Sequence, residues 1–403
     1  MKASERFLQY VKIHTASSEE TTTTPTTPRQ FDLSRLLAEE LTALGMEEVY
    51  TDEHAYVYAA LPASEGMETA PAVGLIAHID TVPDFCGENV KPQVIENYDG
   101  GAVTLGESGR VLTPEKFPWL PTLAGQTLIT TDGTTVLGAD DKAGVAEIMT
   151  ACERIINEKL PHGRIAVCFT PDEEVGHGAA LLDLNRLGAD YAYTVDGGEL
   201  NEVNFETFNA AGAHWEINGF NIHPGDAKNT MINACLVAHE INAMLPSGEI
   251  PAKTEGYEGF YHLLEMRGTV EHAELDYIVR DHDAARFTAR EETLRHIEKL
   301  INEKYAPGTA TLTLTEQYRN MADCLNARPD VVERAERAIE KAGLTPVRVP
   351  IRGGTDGAQL SFRGLPCPNL GTGGYSFHGP YEHITAQAMD KAVEIILNIV
   401  SER

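Results

Sequence analysis

The feature that most constrains this chain is a series of short apolar runs, each followed closely by acidic or imidazole side chains. The runs lie at residues 72–77, 135–137, 164–169 and 191–195. Between the second and third runs, apolar residues recur every three or four positions, which is the spacing of one helix face. Short apolar strands that alternate with helices are typical of an α/β fold. The pattern therefore predicts an α/β domain built on a mostly parallel sheet.

A different order of elements predicts a second domain over residues 209–320. There the pattern reads strand, helix, two strands, helix and strand, which is the ferredoxin-like βαββαβ unit. The predicted strands are 213–220, 260–269, 273–281 and 309–318, and the predicted helices are 230–245 and 283–303. Because helices follow at 329–342 and 385–401, the second domain is inserted into the first, which comprises residues 1–208 and 321–403. A length of 403 residues fits two domains. The Thr/Pro-rich segment 21–27 is expected to be a surface loop.

Charge and cysteine usage exclude several classes of partner. The chain has 32 Lys and Arg against 61 Asp and Glu, and its formal net charge is −29. Phosphate backbones and anionic lipid surfaces repel such a chain, so we expect neither a nucleic acid nor a membrane as a partner. Its six cysteines are scattered, and the N-terminus has no continuous apolar stretch. These features favour reduced thiols and a cytoplasmic location.

Acidic and imidazole side chains gather after the predicted strands. They are His78, Asp80, Asp140, Asp141, Glu173, Glu174 and Asp196. Because parallel strands end at one edge of a sheet, their carboxylates would raise one another's pKa values there unless cations lay among them. His78 and Asp80 point to the same side of an extended chain, so Asp80 can accept a hydrogen bond from the imidazole of His78. Imidazole and carboxylate together predict a site for zinc, manganese or cobalt.

Each of these residues also has an ordinary structural explanation. His78 alone fits a hydrogen-bonded histidine at a strand end. One of Asp140 and Asp141 fits the N-cap of the following helix. The glutamates at 173–174 fit a solvated turn, and Asp196 fits a turn before two glycines. Their coincidence at one sheet edge is what favours a metal site.

Further candidates lie in the C-terminal part and in the inserted domain. His378 lies in the glycine-rich loop GTGGYSFHGP and is a candidate ligand, with nearby His383 ranked below it. Arg352 precedes two glycines in IRGGTDG, where its guanidinium could bind an anion, although a surface arginine in a turn fits equally well. His223 and Arg280 are more simply explained, from the sequence alone, as structural residues.

Eight segments together resemble a known family. They are AHIDTVPD, TTDGTTVLGADDKAGVAEIMT, FTPDEEVGHGA, YTVDGG, NIHPGDAKN, TEGYEGFYHL, PIRGGTDGAQLSF and GLPCPNLGTGGYSFHG. In them the chain resembles the peptidase T family of tripeptide aminopeptidases, among the co-catalytic dizinc peptidases that include glutamate carboxypeptidase and acetylornithine deacetylase. The resemblance covers nearly the whole chain.

The resemblance implies a role for each residue of the metal site. It implies two divalent metal ions per chain, and Zn²⁺ is the expected metal. The implied ligands are His78 and Asp196 for one ion, Glu174 and His378 for the other, and Asp140 as the bridge between them. A cis peptide bond would join Asp140 to Asp141. Asp80 would orient His78, and Glu173 would be the general base.

The resemblance also implies a substrate and an activity. His223 would reach the substrate from the inserted lid and dimerisation domain, and Arg280 and Arg352 would contact the terminal carboxylate of a peptide. The implied activity is release of the N-terminal residue from tripeptides by metal-activated water, in a possible homodimer. The alternatives are a related dimetal dipeptidase, carboxypeptidase or deacylase, or a non-catalytic peptide-binding protein on the same fold. A nucleotide-binding protein is not favoured, because no GxGxxG or Walker sequence follows a strand.

Overall fold

The structure, a computed structural model, describes residues 1–402, which form two compact units. Unit 1 comprises Met1–Phe205, Asp323–Val349 and the residues from Thr355 onward. Unit 2 comprises Glu206–Ala322 and the short segment Pro350–Gly354. The sequence analysis places that short segment in the larger domain instead. A lid or dimerisation role for the inserted domain stays a prediction.

Helices pack against the strands of both units. They are α1 (Ala3–Tyr10), α2 (Gln30–Leu44), α3 (Ala139–Glu158), α4 (Leu184–Leu187), α5 (Ala234–Met244), α6 (Ala284–Lys304), α7 (Ala322–Leu325), α8 (Pro329–Lys341), α9 (Asp356–Phe362) and α10 (Ala386–Val400). In α3 the predicted apolar face is buried, for example at Val145, Met149 and Cys152. Among residues 1–402, no helix has the length and apolar content that crossing a membrane requires.

Strands form the centre of each unit. They are β1 (Glu47–Thr51), β2 (Val57–Leu61), β3 (Val73–His78), β4 (Gln93–Ile95), β5 (Val103–Leu105), β6 (Arg110–Leu112), β7 (Leu128–Thr130), β8 (Ile165–Thr170), β9 (Tyr191–Val195), β10 (Glu202–Asn204), β11 (Asn209–Asn218), β12 (Phe260–Gly268), β13 (His272–Asp281), β14 (Ala310–Tyr318), β15 (Val347–Arg348), β16 (Asn369–Leu370) and β17 (His383–Thr385).

The main sheet of unit 1 has eight strands in the order β1-β2-β8-β3-β9-β16-β10-β15. Strands β8, β3, β9 and β16 run parallel to one another, and antiparallel pairs flank them. Every residue of β3, β8 and β9 is buried, as expected for parallel strands that are covered on both faces. The predicted α/β fold with a mostly parallel sheet is confirmed.

The prediction of a strand at residues 135–137 is wrong. The strand in this region is β7, which pairs with β4 and β17 in a separate three-stranded sheet. The run Thr-Val-Leu ends at Gly138, whose φ of 81° turns the chain away from an extended path. The N–H groups of Leu137 and Gly138 donate to the carboxylate of Glu382 and not to a neighbouring strand. A run this short, bounded by glycine, forms a turn.

Unit 2 has the predicted order of elements, β11-α5-β12-β13-α6-β14. Its strands form one antiparallel sheet in the order β12-β13-β11-β14. Apolar side chains of the strands and of α5 and α6 pack into one core, in which Trp215 is fully buried. Strand β12 lies at an edge of this sheet.

The Thr/Pro-rich segment is only partly a surface loop. Its first residues are exposed, but Thr26 and Thr27 are buried. The main-chain N–H of Thr26 donates to Asp172 at 2.8 Å, and Gln30 Nε2 donates to the same carboxylate at 2.6 Å. The second half of the segment is therefore fixed to the chain directly before Glu173.

Candidate metal centre

Three neighbouring parallel strands deliver side chains to one edge of the main sheet. His78 is the last residue of β3, and Asp196 directly follows β9. The 3-10 turn Glu173–Val175 follows β8. Because β8, β3 and β9 are adjacent and parallel, these residues meet at the carboxyl ends of the strands, where ligands bind in open α/β sheets.

Asp140 reaches the same place from the irregular start of α3. Asp140 and Asp141 both have non-helical backbone angles, and the peptide bond between them is cis. Asp141 accepts hydrogen bonds from the main-chain N–H of Gly144 at 3.2 Å and of His78 at 3.1 Å. Asp141 therefore caps the regular part of the helix, while the carboxylate of Asp140 faces the site.

The carboxylate of Asp140 lies between two imidazoles. Its Oδ1 is 2.9 Å from Nε2 of His78, and its Oδ2 is 3.1 Å from Nε2 of His378. The same nitrogen of His378 is 3.1 Å from Oε2 of Glu174, and that of His78 is 3.9 Å from Oδ1 of Asp196. All five predicted ligand residues are thus brought together around one carboxylate.

The buried side chain of Asp80 supports both sides of this cluster. Its carboxylate accepts the main-chain N–H groups of Glu173 at 3.0 Å and Glu174 at 3.2 Å. Its Oδ1 also lies 3.3 Å from Nδ1 of His78, and its own main-chain oxygen lies 3.1 Å from that nitrogen. Asp80 therefore fixes the orientation of the imidazole and of the turn that carries the two glutamates.

Burial and mutual repulsion shift the pKa values of the site. Burial first and the charge of Asp140 second raise the pKa of Asp196 to about 8 and that of Glu174 to about 7. Hydrogen bonds to Asp140 and Glu174 raise the pKa of His378 to about 11. Burial alone would lower the pKa of His78, but hydrogen bonds to neighbouring carboxylates raise that pKa well above its ordinary value. Positive charge at the site, whether on an imidazole or on a cation, would stabilise the ionised carboxylates.

The available donor atoms fit divalent cations. Ligand atoms of His78, Asp140 and Glu174 lie within 4.8 Å of one another, as do those of His78, Asp141 and Asp196. Oε1 of Glu174 is buried and has no hydrogen-bond partner among residues 1–402, so an oxygen is left for an ion. Imidazole and carboxylate are together suited to zinc, manganese or cobalt.

The loop that carries His378 is held at its base. Residues Tyr375 and His383 pair there in antiparallel fashion, with N–O distances of 2.9 and 3.0 Å. His378 itself has a φ of 63°, a left-handed conformation that is uncommon outside glycine. Trp119 donates its indole N–H to Nε2 of His383 at 3.1 Å, and Nδ1 of His383 bonds the main-chain oxygen of Tyr381. His383 thus anchors the loop within the fold.

Two of the predicted substrate-binding residues, His223 and Arg280, have contrasting surroundings in unit 2. The side chain of His223 is 80% exposed, and its Nδ1 accepts the main-chain N–H of Gly225 at 3.1 Å. Arg280 is buried and donates to the main-chain oxygens of Ala211 and Val279. The contacts of Arg280 therefore stabilise the sheet of unit 2.

Arg352, the third predicted substrate contact, binds another segment of unit 2. Its guanidinium donates to the main-chain oxygens of Gly256 at 2.6 Å and Glu258 at 2.9 Å, and to Oγ1 of Thr254 at 2.9 Å. It also lies over the ring of Phe208, 5.1 Å from the centroid. These bonds join two segments that the sequence analysis treats as separate motifs.

Two buried carboxylates beside the site are absent from the sequence prediction. Asp356, the first residue of α9, accepts a hydrogen bond from Oγ1 of Thr170 at 2.9 Å. Glu382 accepts main-chain N–H groups from the turn before α3 and, at 3.0 Å, from Asp140 in the irregular start of that helix. The available signal was position, because Glu382 follows His378 by four residues and Asp356 lies within the RGGTDG motif.

Known proteins share both this sequence and this architecture. The peptidase family M20/M25/M40 matches residues 135–402. Peptidase T of Clostridium perfringens (strain 13 / Type A) is 54% identical over 400 residues, which is 99% of this chain and 98% of that protein.

Two solved structures share the fold along the whole chain. Aminopeptidase PepT from Bacillus cereus ATCC 10987 superposes with a TM-score of 0.78 at 23% identity. A tripeptidase from Staphylococcus aureus subsp. aureus mu50 gives 0.78 at 22% identity. Each comparison covers 99% of this chain and 97% of the other.

The fold and the relatives define the class. The chain belongs to peptidase family M20/M25/M40. Within that family, 54% identity to a peptidase T over nearly the full length confirms the resemblance predicted from the eight sequence segments.

If a divalent ion such as Zn²⁺ binds at this site and stabilises the folded protein, we expect Asp140→Ala to abolish that stabilisation. An ion present at 100 times its Kd stabilises a folded protein by about 2.7 kcal/mol, and Asp140 is the residue next to both imidazoles. Melting curves of metal-free protein with and without Zn²⁺ measure the effect. Asp132→Ala is the control, because the side chain of Asp132 is 15% exposed against 16% for Asp140. An equal rise in Tm for both variants would contradict the assignment.

Proposed function

We propose that this chain is a metal-dependent aminopeptidase that releases the N-terminal residue from tripeptides. The observation that carries the proposal is the carboxylate of Asp140 between the imidazoles of His78 and His378. The 54% identity to a peptidase T supports the same activity. So does the fold shared with an aminopeptidase and with a tripeptidase.

We propose two Zn²⁺ ions per chain as the cofactor. His78 and Asp196 would hold one ion, Glu174 and His378 the other, and Asp140 both. The distances among these residues and the unpartnered Oε1 of Glu174 support this division. Such ions, when bound, lower the pKa of a water molecule and polarise the carbonyl of the scissile bond.

Glu173 is the proposed general base. Asp80 holds the main chain of Glu173 through a 3.0 Å hydrogen bond, while no hydrogen bond within residues 1–402 engages the carboxylate of Glu173. Burial raises the pKa of Glu173 well above its ordinary value, which suits a group that takes a proton near neutral pH. Its carboxylate would accept a proton from water and pass it to the amine that leaves.

His223 is the proposed contact to the substrate from unit 2. Its exposed imidazole and the absence of a protein partner at Nε2, within the part of the chain that the structure describes, support this role. Arg280 and Arg352 use their guanidinium groups for main-chain oxygens of unit 2. A carboxylate-binding role for these two arginines stays a prediction.

Hydrolysis of alanine peptides tests the proposed activity. Trialanine should be cleaved faster than dialanine, and N-acetyltrialanine should resist cleavage, because an aminopeptidase requires a free N-terminus. A chelator should abolish turnover and Zn²⁺ should restore it, with two ions per chain by elemental mass spectrometry. Cleavage of the acetylated peptide as fast as of trialanine would exclude an aminopeptidase. Equal rates for dialanine and trialanine would point to a dipeptidase.

Glu173→Gln should fold and bind metal but lose kcat by about 10²–10⁴-fold, because its amide cannot accept the proton. Trialanine kinetics and metal content of the purified variant measure the two effects. Glu202→Gln is the matched control, because Glu202 is also a partly buried glutamate whose pKa is raised by burial. Substantial activity in Glu173→Gln would show that another residue is the base.

We also propose a homodimer formed through unit 2 and a cytoplasmic location. Edge strand β12 carries Leu264 at 58% exposure and Met266 at 44% exposure. An edge strand with exposed apolar side chains is a template for pairing with another chain.

The proposed cytoplasmic location rests on the acidic composition and the scattered cysteines.

Leu264→Lys should convert a dimer to a monomer, because it places a charge on the pairing strand. Light scattering of the eluted protein measures the mass. Leu300→Lys on α6 is the control, since Leu300 is exposed in the same unit but does not belong to the edge strand. A parent protein that elutes as a single chain, or a Leu264→Lys variant that remains dimeric, would exclude this interface.

A further inference from the structure

A carboxylate outside the proposed ligand set binds the turn that carries Asp140. Glu382 is 1% exposed, and both of its carboxylate oxygens accept main-chain hydrogen bonds. Oε2 accepts the N–H groups of Leu137 at 2.6 Å and Gly138 at 2.9 Å, and Oε1 accepts that of Asp140 at 3.0 Å.

The turn cannot satisfy these N–H groups by itself. Gly138 has a left-handed backbone, and Asp140 has a ψ of 102°, so regular helical geometry begins only after Asp141. The N–H groups at the start of a helix have no intrahelical partner, because the residues before them are not helical. Because a buried N–H without a partner is costly, several converging N–H groups favour an anionic acceptor.

Glu382 belongs to the same loop as His378. The loop is closed at its base by the pairing of Tyr375 with His383. It contacts Asp140 twice, through the imidazole of His378 at the side chain and through Glu382 at the main chain. The loop and the turn are therefore locked together on two sides of one proposed ligand.

We propose that Glu382 is a positioning residue that fixes Asp140 relative to His378 and thereby sets the metal affinity of the site. This inference rests on the proposed metal site. Glutamine cannot replace Glu382, because an amide has only one acceptor oxygen and its NH₂ group would face a main-chain N–H donor. Loss of a residue that orients metal ligands typically weakens metal binding 10–100-fold.

The test is calorimetric titration of the full-length, metal-free protein with Zn²⁺. Asp52→Ala is the matched control, because Oδ1 of Asp52 accepts the main-chain N–H groups of His54 at 2.9 Å and Tyr56 at 3.0 Å, also in unit 1. We expect Glu382→Gln to bind Zn²⁺ at least ten-fold more weakly than the parent. Asp52→Ala should match the parent in affinity and stoichiometry while showing a comparable loss of thermal stability.

The visible absorption spectrum of the Co²⁺-loaded proteins gives a second readout that does not depend on activity. A changed spectrum for Glu382→Gln, beside a parent-like spectrum for Asp52→Ala, supports the positioning role. Parent-like Zn²⁺ affinity and Co²⁺ spectrum in Glu382→Gln would overturn it and leave the proposed metal site standing. A parent protein that binds no metal would overturn the metal site, and this inference with it.

Should Glu382→Gln fail to fold, Glu382→Asp takes its place in both measurements. Aspartate keeps the charge and both oxygens but is one methylene shorter, so it cannot reach all three N–H groups without moving the loop. A weaker Zn²⁺ affinity than that of Asp52→Ala supports the proposal, and an unchanged affinity overturns it.

Discussion

The shared carboxylate of Asp140 is the interaction on which the rest of the site depends. A buried carboxylate is stable only when it is paired and hydrogen-bonded. Burial alone would raise the pKa of Asp140, yet hydrogen bonds from His378 and His78 hold that pKa well below its ordinary value. Burial first, and the charge of Asp140 second, raise the pKa values of Glu174 and Asp196. Asp140 thus contributes to the protonation of its neighbours.

The scaffold holds this carboxylate through main-chain contacts. Asp80 binds the N–H groups of the turn that carries Glu173, and Glu382 binds those of the turn that carries Asp140. Asp141 binds the start of α3 and the main chain of His78. Three carboxylates therefore orient the backbone, and one of them, Asp141, directly follows the proposed ligand Asp140. In the pair Asp140 and Asp141, the first carboxylate faces the site and the second holds the backbone.

Sequence reasoning succeeded where the physical signal was local. Continuous apolar runs located β3, β8 and β9 within a residue, because strands buried on both faces leave little choice of residue type. The prediction of a strand at 135–137 was wrong because a threonine and two apolar residues before a glycine do not distinguish a strand from a turn. The short strands β4 to β7 carry too few residues for a detectable alternation and were missed.

The residues of the proposed metal site could be predicted from the coincidence of residue types after the strands. The contacts that hold those residues in place could not. The bonds of Glu382 join residues separated by more than 240 positions in the chain, and their partners are main-chain N–H groups, which every residue except proline has. Apart from the nearness of Glu382 to His378 in sequence, no pattern of side chains indicates such an acceptor. The contact of Arg352 with residues 254–258 could not be predicted from the sequence for the same reason, because its partners are mostly main-chain carbonyl oxygens.

The contact of Arg352 with residues 254–258 has a consequence for how unit 2 can be exchanged between related proteins during evolution. Arg352 belongs to a pentapeptide that lies beyond the inserted segment in sequence but within unit 2 in space. The unit is therefore not encoded by one continuous stretch, since an exchange of residues 206–322 between relatives would leave Arg352 behind. Substitutions in the loop 254–258 and in the pentapeptide 350–354 should therefore be correlated among relatives, although the two segments are far apart in sequence.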